Sequence, residues 1–312
     1  MKRGARRHAI VRIALALGGA AAGHALPAGY GPPRLEALIT DPDLDEISGL
    51  AASRRTPDLY WVHNDAPRPA RLIGLDGKGR RRGSLRIEGV RAIDWEDLAA
   101  YRFDGKAWLL IADSGDNAGV RKERELVAIE EPALIGDGSE QVVRPAWRLR
   151  FRYADGAHDV EAMAVDLSTR EILLLDKHAP APVLYSLPLG PGDGRVQVAR
   201  RRLALDAIPA PSTQEREARF PAARLGGSPT AMDIDASGRN AVVMTYRDLW
   251  FYRREAGESW LQAFARAPSR LPLPPLAQAE AAGFDYPGAS VRVSGERLPA
   301  PWLLFEKTTT SD

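Results

Sequence analysis

Five short stretches of the sequence each place an oxygen-bearing side chain directly before a small residue, and an apolar segment usually follows. They recur at intervals of roughly 50 to 70 residues, which indicates a repeat of about 40 to 50 residues with insertions, the size of one propeller blade. If such repeats close into a ring, the five side chains meet on its axis. The residues are Ser48, Glu96, Glu161, Thr230 and Glu280.

Three carboxylates and two hydroxyls on one narrow axis imply a cation site, because the carboxylates repel one another unless a proton or a cation neutralises them. An all-oxygen set suits Ca²⁺, fits Mg²⁺ less readily, and does not suit zinc, which prefers nitrogen and sulfur ligands. The sequence therefore predicts a calcium site. In the competing interpretation, the same residues mark the start of each blade and hydrogen-bond neighbouring strands.

The segments after these residues predict short strands separated by turns, four to a repeat. The predicted fold class is all-β: a five-bladed propeller of four-stranded antiparallel blades. The fifth repeat lacks a fourth strand, and an isolated N-terminal strand at Arg34–Thr40 can supply it and close the ring. In the fourth repeat, an outer strand is predicted near Trp260–Phe264. Six blades are the alternative if residues 206–227, which we interpret as a surface insertion, hide a degenerate repeat.

A second set of polar residues ends the second strand of every repeat. In an antiparallel hairpin, the end of the second strand lies beside the start of the first, so these residues should surround the same mouth as the axial oxygens. They are His63, Asn64, Asp65, Asp113, Asp116, Asn117, Lys177, His178, Tyr246, Arg247, Glu296 and Arg297.

These polar residues around an axial metal predict a metal-dependent hydrolase of phosphate esters or anhydrides. Its Lys and Arg residues could bind phosphate oxygens, and its Asn, Tyr and Glu side chains could position the substrate. The axial metal would polarise the phosphoryl group, while Asp65, Asp113 or Asp116 orients or deprotonates a water molecule. Aspartates at these positions are also typical of turn caps.

Two other functions fit the same pattern. A lactonase-like or esterase-like propeller hydrolase would use His63 or His178 as its base. A non-catalytic propeller would hold a structural Ca²⁺ and bind a ligand or protein, with Trp61, Trp95 and Tyr246 as a floor for sugar stacking. The alternation within their strands favours burial between blades for the two tryptophans.

The order Ser, Glu, Glu, Thr, Glu at the blade starts resembles that of the calcium-activated nucleotidases (apyrases), whose five-bladed propeller holds Ca²⁺ in its central tunnel. The phrases at 47–50, 63–65, 94–97 and 115–117 are similar to those of little-characterised secreted bacterial propeller proteins. The first resemblance implies that the five axial residues bind Ca²⁺ and that nucleotides are substrates. Thr230 stands where serine is expected, and no nucleotidase motif matches outside the blade starts.

The N-terminal residues 1–25 combine five basic residues with the apolar run Ile13–Gly23. The run is too short to span a bilayer, so we expect a signal peptide and no membrane span, with residues 26–312 as a single propeller domain in the periplasm or the medium. Without this leader the net charge of +2 becomes slightly negative, and no basic block remains to bind nucleic acid. No cysteine is present, which excludes disulfides and thiol nucleophiles. We expect a monomer that binds a small molecule.

Overall fold

The computed structural model describes residues 29–65, 68–134, 138–177, 181–218 and 224–308. The predicted signal peptide and His178 lie outside the described residues. Within them the regular secondary structure is almost all β-strand, with two short helices, α1 (Thr213–Arg216) and α2 (Trp260–Phe264). No helix in this part is long and apolar enough to cross a bilayer.

The first half of the described chain contains the N-terminal strand and the strands of the first two repeats. The N-terminal strand is β1 (Arg34–Ile39), and the first repeat forms β2 (Ile47–Ala52), β3 (Leu59–Asn64), β4 (Arg71–Asp76) and β5 (Arg81–Ile87). The second repeat forms β6 (Trp95–Phe103), β7 (Lys106–Asp113), β8 (Arg124–Glu130), β9 (Glu140–Val143) and β10 (Trp147–Tyr153).

The second half contains the remaining three repeats. The third forms β11 (Val160–Asp166), β12 (Glu171–Asp176), β13 (Val183–Pro188) and β14 (Gln197–Ala204). The fourth forms β15 (Pro229–Ile234), β16 (Asn240–Thr245), β17 (Asp248–Arg253) and β18 (Ser269–Pro272). The fifth forms β19 (Ala279–Phe284), β20 (Val291–Gly295) and β21 (Ala300–Phe305).

The strands pair into four sheets. Three have the orders β2-β3-β4-β5-β9, β15-β16-β17-β18 and β19-β20-β21-β1. The fourth has eight strands, β6-β7-β8-β10-β14-β13-β12-β11, because the outer strands β10 and β14 pair in parallel. The predicted five blades of four strands are not confirmed by this layout, and the blade count stays a prediction.

The first strands of the five repeats form a ring. Strands β2, β6, β11, β15 and β19 contact one another in a closed cycle, and each leads outward into its own antiparallel meander. Four of them are buried along their whole length, whereas an outer strand such as β10 alternates between buried and exposed positions. Because a strand in the middle of the molecule is covered on both faces, its residues need not alternate. The protein therefore has an all-β, propeller-like fold.

Apolar side chains fill the interfaces between successive repeats. Trp61 and Trp95 are buried in the cluster between the first and second repeats, and Trp302 lies in the cluster between the fifth and first. The two tryptophans proposed for sugar stacking are therefore core residues, as their alternation indicated. β1 pairs antiparallel with β21, with Ile39 opposite Ala300, which is the ring-closing contact predicted for this segment.

The outer strand of the fourth repeat was predicted at the wrong place. Residues Trp260–Phe264 form helix α2, and the outer strand is β18, at Ser269–Pro272. Ser259 and Gln262 form a capping box at the helix start, and Trp260 and Phe264, one turn apart, are both buried. Apolar residues four apart after a capping box are typical of a helix rather than a strand.

The part of 206–227 that the structure describes contains α1, whose residues are not buried, and no strand. Strand β9 was not predicted. It pairs in parallel with β5 and extends the first sheet to five strands.

Candidate metal centre

Each of the five predicted axial residues lies at a bulge in its inner strand. In the first repeat, Ile47 pairs with Asn64 and Gly49 pairs with the next residue, His63, so Ser48 has no partner in the ladder. The same shift brackets the other four residues, Glu96, Glu161, Thr230 and Glu280. A bulge bends the strand and redirects one side chain. All five residues are buried, and the repeated sequence phrase corresponds to this bulge.

Carboxylates converge at the bulges of the second and third repeats. Carboxylate oxygens of Glu96, Asp159 and Glu161 lie within 4.8 Å of one another, and the same is true of Asp65, Asp94 and Glu96. Glu96 belongs to both groups, so the two groups form one continuous cluster. We call these five residues the acidic cluster.

The sequence analysis missed Asp94 and Asp159 as site residues. Each stands two positions before a bulge residue, where side chains on one face of a strand recur. All five repeats have a polar residue at this position, and this was the signal that could have identified them: Glu46, Asp94, Asp159, Ser228 and Gln278.

Three buried oxygens of the bulge residues have no hydrogen-bond partner among the residues that the structure describes. They are Glu96 Oε1, Glu161 Oε2 and Thr230 Oγ1. The other two bulge residues have partners: the Ser48 hydroxyl donates to the Glu96 carbonyl at 2.8 Å, and the Glu280 carboxylate accepts from the Tyr246 hydroxyl at 2.7 Å. Ser48 thus links two repeats directly, as the competing interpretation of the axial residues expected.

Lys177 is the cation held within the acidic cluster. Its Nζ lies 2.8 Å from Asp159 Oδ2 and 2.9 Å from Asn117 Oδ1, and it also donates to Glu161. Burial disfavours the charged ammonium, but the attraction of Glu161 and Asp159 outweighs burial and raises the pKa of Lys177. Lys177 contacts two of the five carboxyl groups, and Arg121 attracts a third, Asp94, so the carboxyl groups of the cluster outnumber the cations beside them.

Burial and mutual repulsion make the axial carboxyls weak acids. Burial, followed by repulsion from Glu161, raises the pKa of Glu96 well above its usual range, and the same two causes raise that of Glu280. Burial raises the pKa of Glu161 to about 7 even though Lys177 opposes the shift. A divalent cation would remove the repulsion and satisfy the unpartnered oxygens, so this donor set fits Ca²⁺.

The structure gives two of the predicted water-activating residues other partners. Asp113 accepts from the Ile93 amide at 3.0 Å and pairs with Arg121. Asp116 accepts from the amides of Val120 and Arg121 and forms a buried ion pair with Arg124. These contacts fit the alternative role of the aspartates in organising turns. Asp65, by contrast, lies half-buried in the acidic cluster.

His63 and Asn64 lie beside the ring interface and not on the axis. Both line a cavity of about 120 Å³ together with Trp95. His63 is only 1% exposed, and its burial lowers its pKa to about 4. An enclosed imidazole with so low a pKa is a weak proton acceptor, which does not support the predicted role as a catalytic base. The amide of Asn64 donates to the Asp43 carbonyl at 2.9 Å.

The predicted phosphate-binding residues have separate partners. Lys177 is held by the acidic cluster, whereas Arg247 pairs with Glu215 of α1. Arg297 is exposed in a turn, with its backbone amide donating to Asp45 at 2.8 Å. Glu296 is half-buried, and burial raises its pKa. These contacts give no sign that the three cations converge on one anion.

A deeper pair of carboxylates was also missed. Asp97 accepts from the amides of Leu98, Met163 and Met232 at 2.8, 2.7 and 3.2 Å, so it joins the second, third and fourth repeats. Asp233 accepts from Ile234 and from Phe284 of the fifth repeat. Burial raises the pKa of Asp97 well above its usual range despite these three donors. Its adjacency to Glu96 in the sequence was the available signal.

No family model and no curated protein matches the chain. Among solved structures, the chain is similar to the β-propeller domain of Myceliophteria thermophila Cps50 (Swd1), at 12% identity and a TM-score of 0.38, covering 84% of this chain and 83% of that one. It is also similar to the Dos1 propeller, at 11% identity and a TM-score of 0.35, covering 85% of this chain and 61% of that one. Both are propellers, but the fold described above rests on the strand pairing of this chain.

Proposed function

We propose that this protein is a calcium-binding β-propeller whose ion is held on the ring axis by Ser48, Glu96, Glu161, Thr230 and Glu280. The observation that carries the proposal is the set of three buried, unpartnered oxygens beside carboxylates whose charge a single lysine does not balance. Buried polar atoms are almost always satisfied, so such a set indicates a missing cation. The bound ion would join the inner strands and, on its open side, polarise a ligand oxygen.

We propose that the strands around this site form five blades. The eight-stranded sheet divides naturally at the parallel contact between β10 and β14, because every other pairing within it is antiparallel. Strand β9 is then an addition to the outer edge of the first blade. Five inner strands and five bulges support this count, and an experimental electron-density map of the ring would test it.

The calcium site is tested by titrating the purified mature domain with CaCl₂ in a calorimeter. Wild type should bind one ion, and Glu161→Gln, which keeps the shape but removes a charge, should weaken binding at least about tenfold. Glu255→Gln is the matched control, since Glu255 is an exposed carboxylate in the β17–α2 loop. Equal affinity for all three proteins would show that the ligand assignment is wrong.

A phosphohydrolase is the second candidate, and the position of Asp65 favours it. This residue lies beside Asp94 and Glu96 and is half-buried, so it is the predicted water-activating residue that the structure places in the acidic cluster. Asn117, whose Oδ1 accepts from Lys177, is exposed on the Glu161 side of the same cluster, so its amide group can donate to a substrate. The resemblance of the blade starts to calcium-activated nucleotidases supports the same chemistry, with nucleotides as the first substrates to try.

Phosphate release from nucleotides and sugar phosphates, measured with calcium and with chelator, separates the two candidates. A hydrolase should turn over only with calcium and should lose most of its activity in Asp65→Asn while still binding the ion. A protein that binds calcium but releases no phosphate from any member of the panel is instead a binding propeller with a structural ion. The burial of His63 gives the lactonase-like alternative no support, and His178, the other predicted base, lies outside the described residues.

We also propose that the protein is exported after cleavage near residue 25. The basic and apolar composition of residues 1–25 supports this proposal, as does the resemblance to secreted propellers. Mass spectrometry of the protein recovered from the periplasm and the medium of an expressing bacterium tests this proposal, because cleavage lowers the molecular mass. Recovery of the uncleaved chain from the cytoplasm alone would contradict export.

A further inference from the structure

A second pocket lies at the opposite ends of the inner strands. The bulge residues stand at the starts of these strands, whereas the pocket is lined by the ends of β6, β11 and β15 and by the residues that follow β2 and β19. On β6, Glu96 and Ala100 are four residues apart, which corresponds to about 13 Å along the strand. The pocket has a volume of about 290 Å³ and is independent of the acidic cluster. We call it the arginine pocket.

Arg54 is the residue that suggests a ligand. Its side chain is 5% exposed, its Nε donates to the Ala100 carbonyl at 2.9 Å, and its guanidinium carbon lies 4.9 Å from the Tyr286 ring centroid. These contacts hold the guanidinium group in one orientation. Its Nη1 is buried and has no hydrogen-bond partner within the described part of the chain. A fixed, buried and unsatisfied cationic donor in a pocket wall is suited to an anionic acceptor.

The aspartates of the pocket wall are already satisfied by local groups. Asp166 accepts from the Ser168 amide at 2.9 Å and from the hydroxyls of Ser168 and Thr169. Asp235 accepts from the Asn240 side chain at 2.6 Å in the adjacent hairpin turn. Asp233 accepts two backbone amides, as described above. Asp233 also attracts the Arg54 guanidinium electrostatically, but none of the three carboxylates accepts a hydrogen bond from Arg54 Nη1 in the described part of the chain.

Two further guanidinium groups line the pocket. Arg102 donates to the Arg54 carbonyl at 2.9 Å, and Arg254 donates to the Ser168 hydroxyl at 2.6 Å. Arg102 is anchored through a neutral acceptor, so its positive charge adds to that of Arg54, whereas Arg254 also lies 3.8 Å from Asp166, which balances part of its charge. The remaining wall includes apolar side chains, notably Val165 and Ile234.

We propose that the arginine pocket binds a small organic monocarboxylate, with its carboxylate on Arg54 Nη1 and its apolar body against Val165 and Ile234. The volume is at the lower end of that seen for small-molecule sites, which favours a compact ligand. A single negative charge fits better than the two charges of phosphate, because three aspartates share the wall. Nothing in this proposal depends on calcium or on the hydrolase candidate.

The test uses benzoate as the carboxylate probe, benzamide as its neutral analogue and inorganic phosphate as the alternative anion. Calorimetry on the mature protein should show saturable benzoate binding at millimolar or lower concentration, with benzamide and phosphate at least about fivefold weaker. Chelator should not change the benzoate affinity. Absence of saturable benzoate binding, or phosphate binding more tightly than benzoate, would overturn the proposal.

Three variants locate the site. Arg54→Gln should abolish benzoate binding, and its circular dichroism spectrum should match that of wild type, which checks that it folds. Leu167 lines the pocket and is 41% exposed, so it tolerates substitution. Leu167→Glu should weaken benzoate binding about fivefold through added negative charge, while the isosteric Leu167→Gln should not. Wild-type benzoate affinity in both Arg54→Gln and Leu167→Glu would show that benzoate binds elsewhere and that the assignment is wrong.

Discussion

The two ends of the inner strands carry opposite kinds of unsatisfied group. At the starts, one carboxylate oxygen each of Glu96 and Glu161 is buried without a hydrogen-bond partner among the described residues, whereas in the arginine pocket the buried atom without one is the cationic Nη1 of Arg54. Aspartates occur at both ends, but Asp166 and Asp235 are satisfied by their own turns. The number of acidic residues at a site therefore does not by itself identify a metal site. The decisive observation is which of their oxygens lack a donor.

The largest effect expected at the acidic end is the loss of calcium stabilisation in the double variant Glu96→Gln, Glu161→Gln. A ligand present at a thousand times its dissociation constant stabilises the folded state by about 4 kcal/mol. Calcium should raise the free energy of unfolding of wild type by this amount and should not change that of the variant. Urea denaturation with calcium and with chelator measures both. Because the variant also removes two repelling buried carboxyls, its stability in chelator should be no lower than that of wild type. A calcium-dependent gain in the variant would contradict the assignment.

Asp97 lies between the two ends, and its loss should destabilise the protein whether or not calcium is present. Asp97→Ala leaves three buried amide groups, those of Leu98, Met163 and Met232, without an acceptor. Each unsatisfied buried amide costs about 1–3 kcal/mol. Removing the buried carboxyl group itself is favourable and offsets part of this cost, so we expect the free energy of unfolding to fall by about 3 kcal/mol. Urea denaturation measures it, with the exposed Asp206→Ala as control. A loss seen only in calcium would instead place Asp97 in the metal site.

The pH dependence of stability should distinguish calcium-free from calcium-bound protein. The folded-state pKa of Glu161, about 7, exceeds its usual 4.5, so the folded chain binds the proton more tightly than the unfolded chain. Its contribution is complete below about pH 4.5 and is lost as the pH rises to about 7. Burial raises the pKa of Glu96 and Glu280 in the same direction. In chelator, the free energy of unfolding should therefore fall across this range. Calcium affinity should rise over the same range, because the ion binds ionised carboxylates.

The contribution of Glu161 is isolated by subtracting the profile of Glu161→Gln from that of wild type. This matters because His63, whose pKa burial lowers to about 4, acts with the opposite sign: its contribution is lost as the pH falls below about 6.5. The difference profile should slope downward with pH in chelator. A flat difference would show that Glu161 titrates normally in the folded state.

The smallest expected effect belongs to the arginine end. Arg54→Gln removes the hydrogen bond to Ala100 and the contact with Tyr286, together worth about 1–2 kcal/mol, and it also removes a buried donor without a partner. We expect a net loss of no more than about 1 kcal/mol in urea denaturation. A loss above about 3 kcal/mol would indicate that Arg54 stabilises the ring itself.

Much of the architecture was predictable, because strand patterns and turn residues are local. The inner strands and the burial of Trp61 and Trp95 follow from short stretches of sequence. The pairing of β1 with β21 was predictable for another reason, since the fifth repeat lacks a fourth strand of its own. The error at Trp260–Phe264 had a local cause as well, since the capping box at Ser259 was overlooked. Strand β9 was missed because its pairing with β5 crosses repeats.

The sequence by itself determined the repeat, the all-β fold class and the five oxygen-bearing residues, because each bulge is encoded by a few consecutive residues. Only the tertiary structure decided which polar residues remain available. Lys177 enters the acidic cluster, and Arg54 meets the ends of strands from other repeats. The physical reason is that closing the ring sets distances between residues far apart in sequence, and those distances determine which buried charges find a partner.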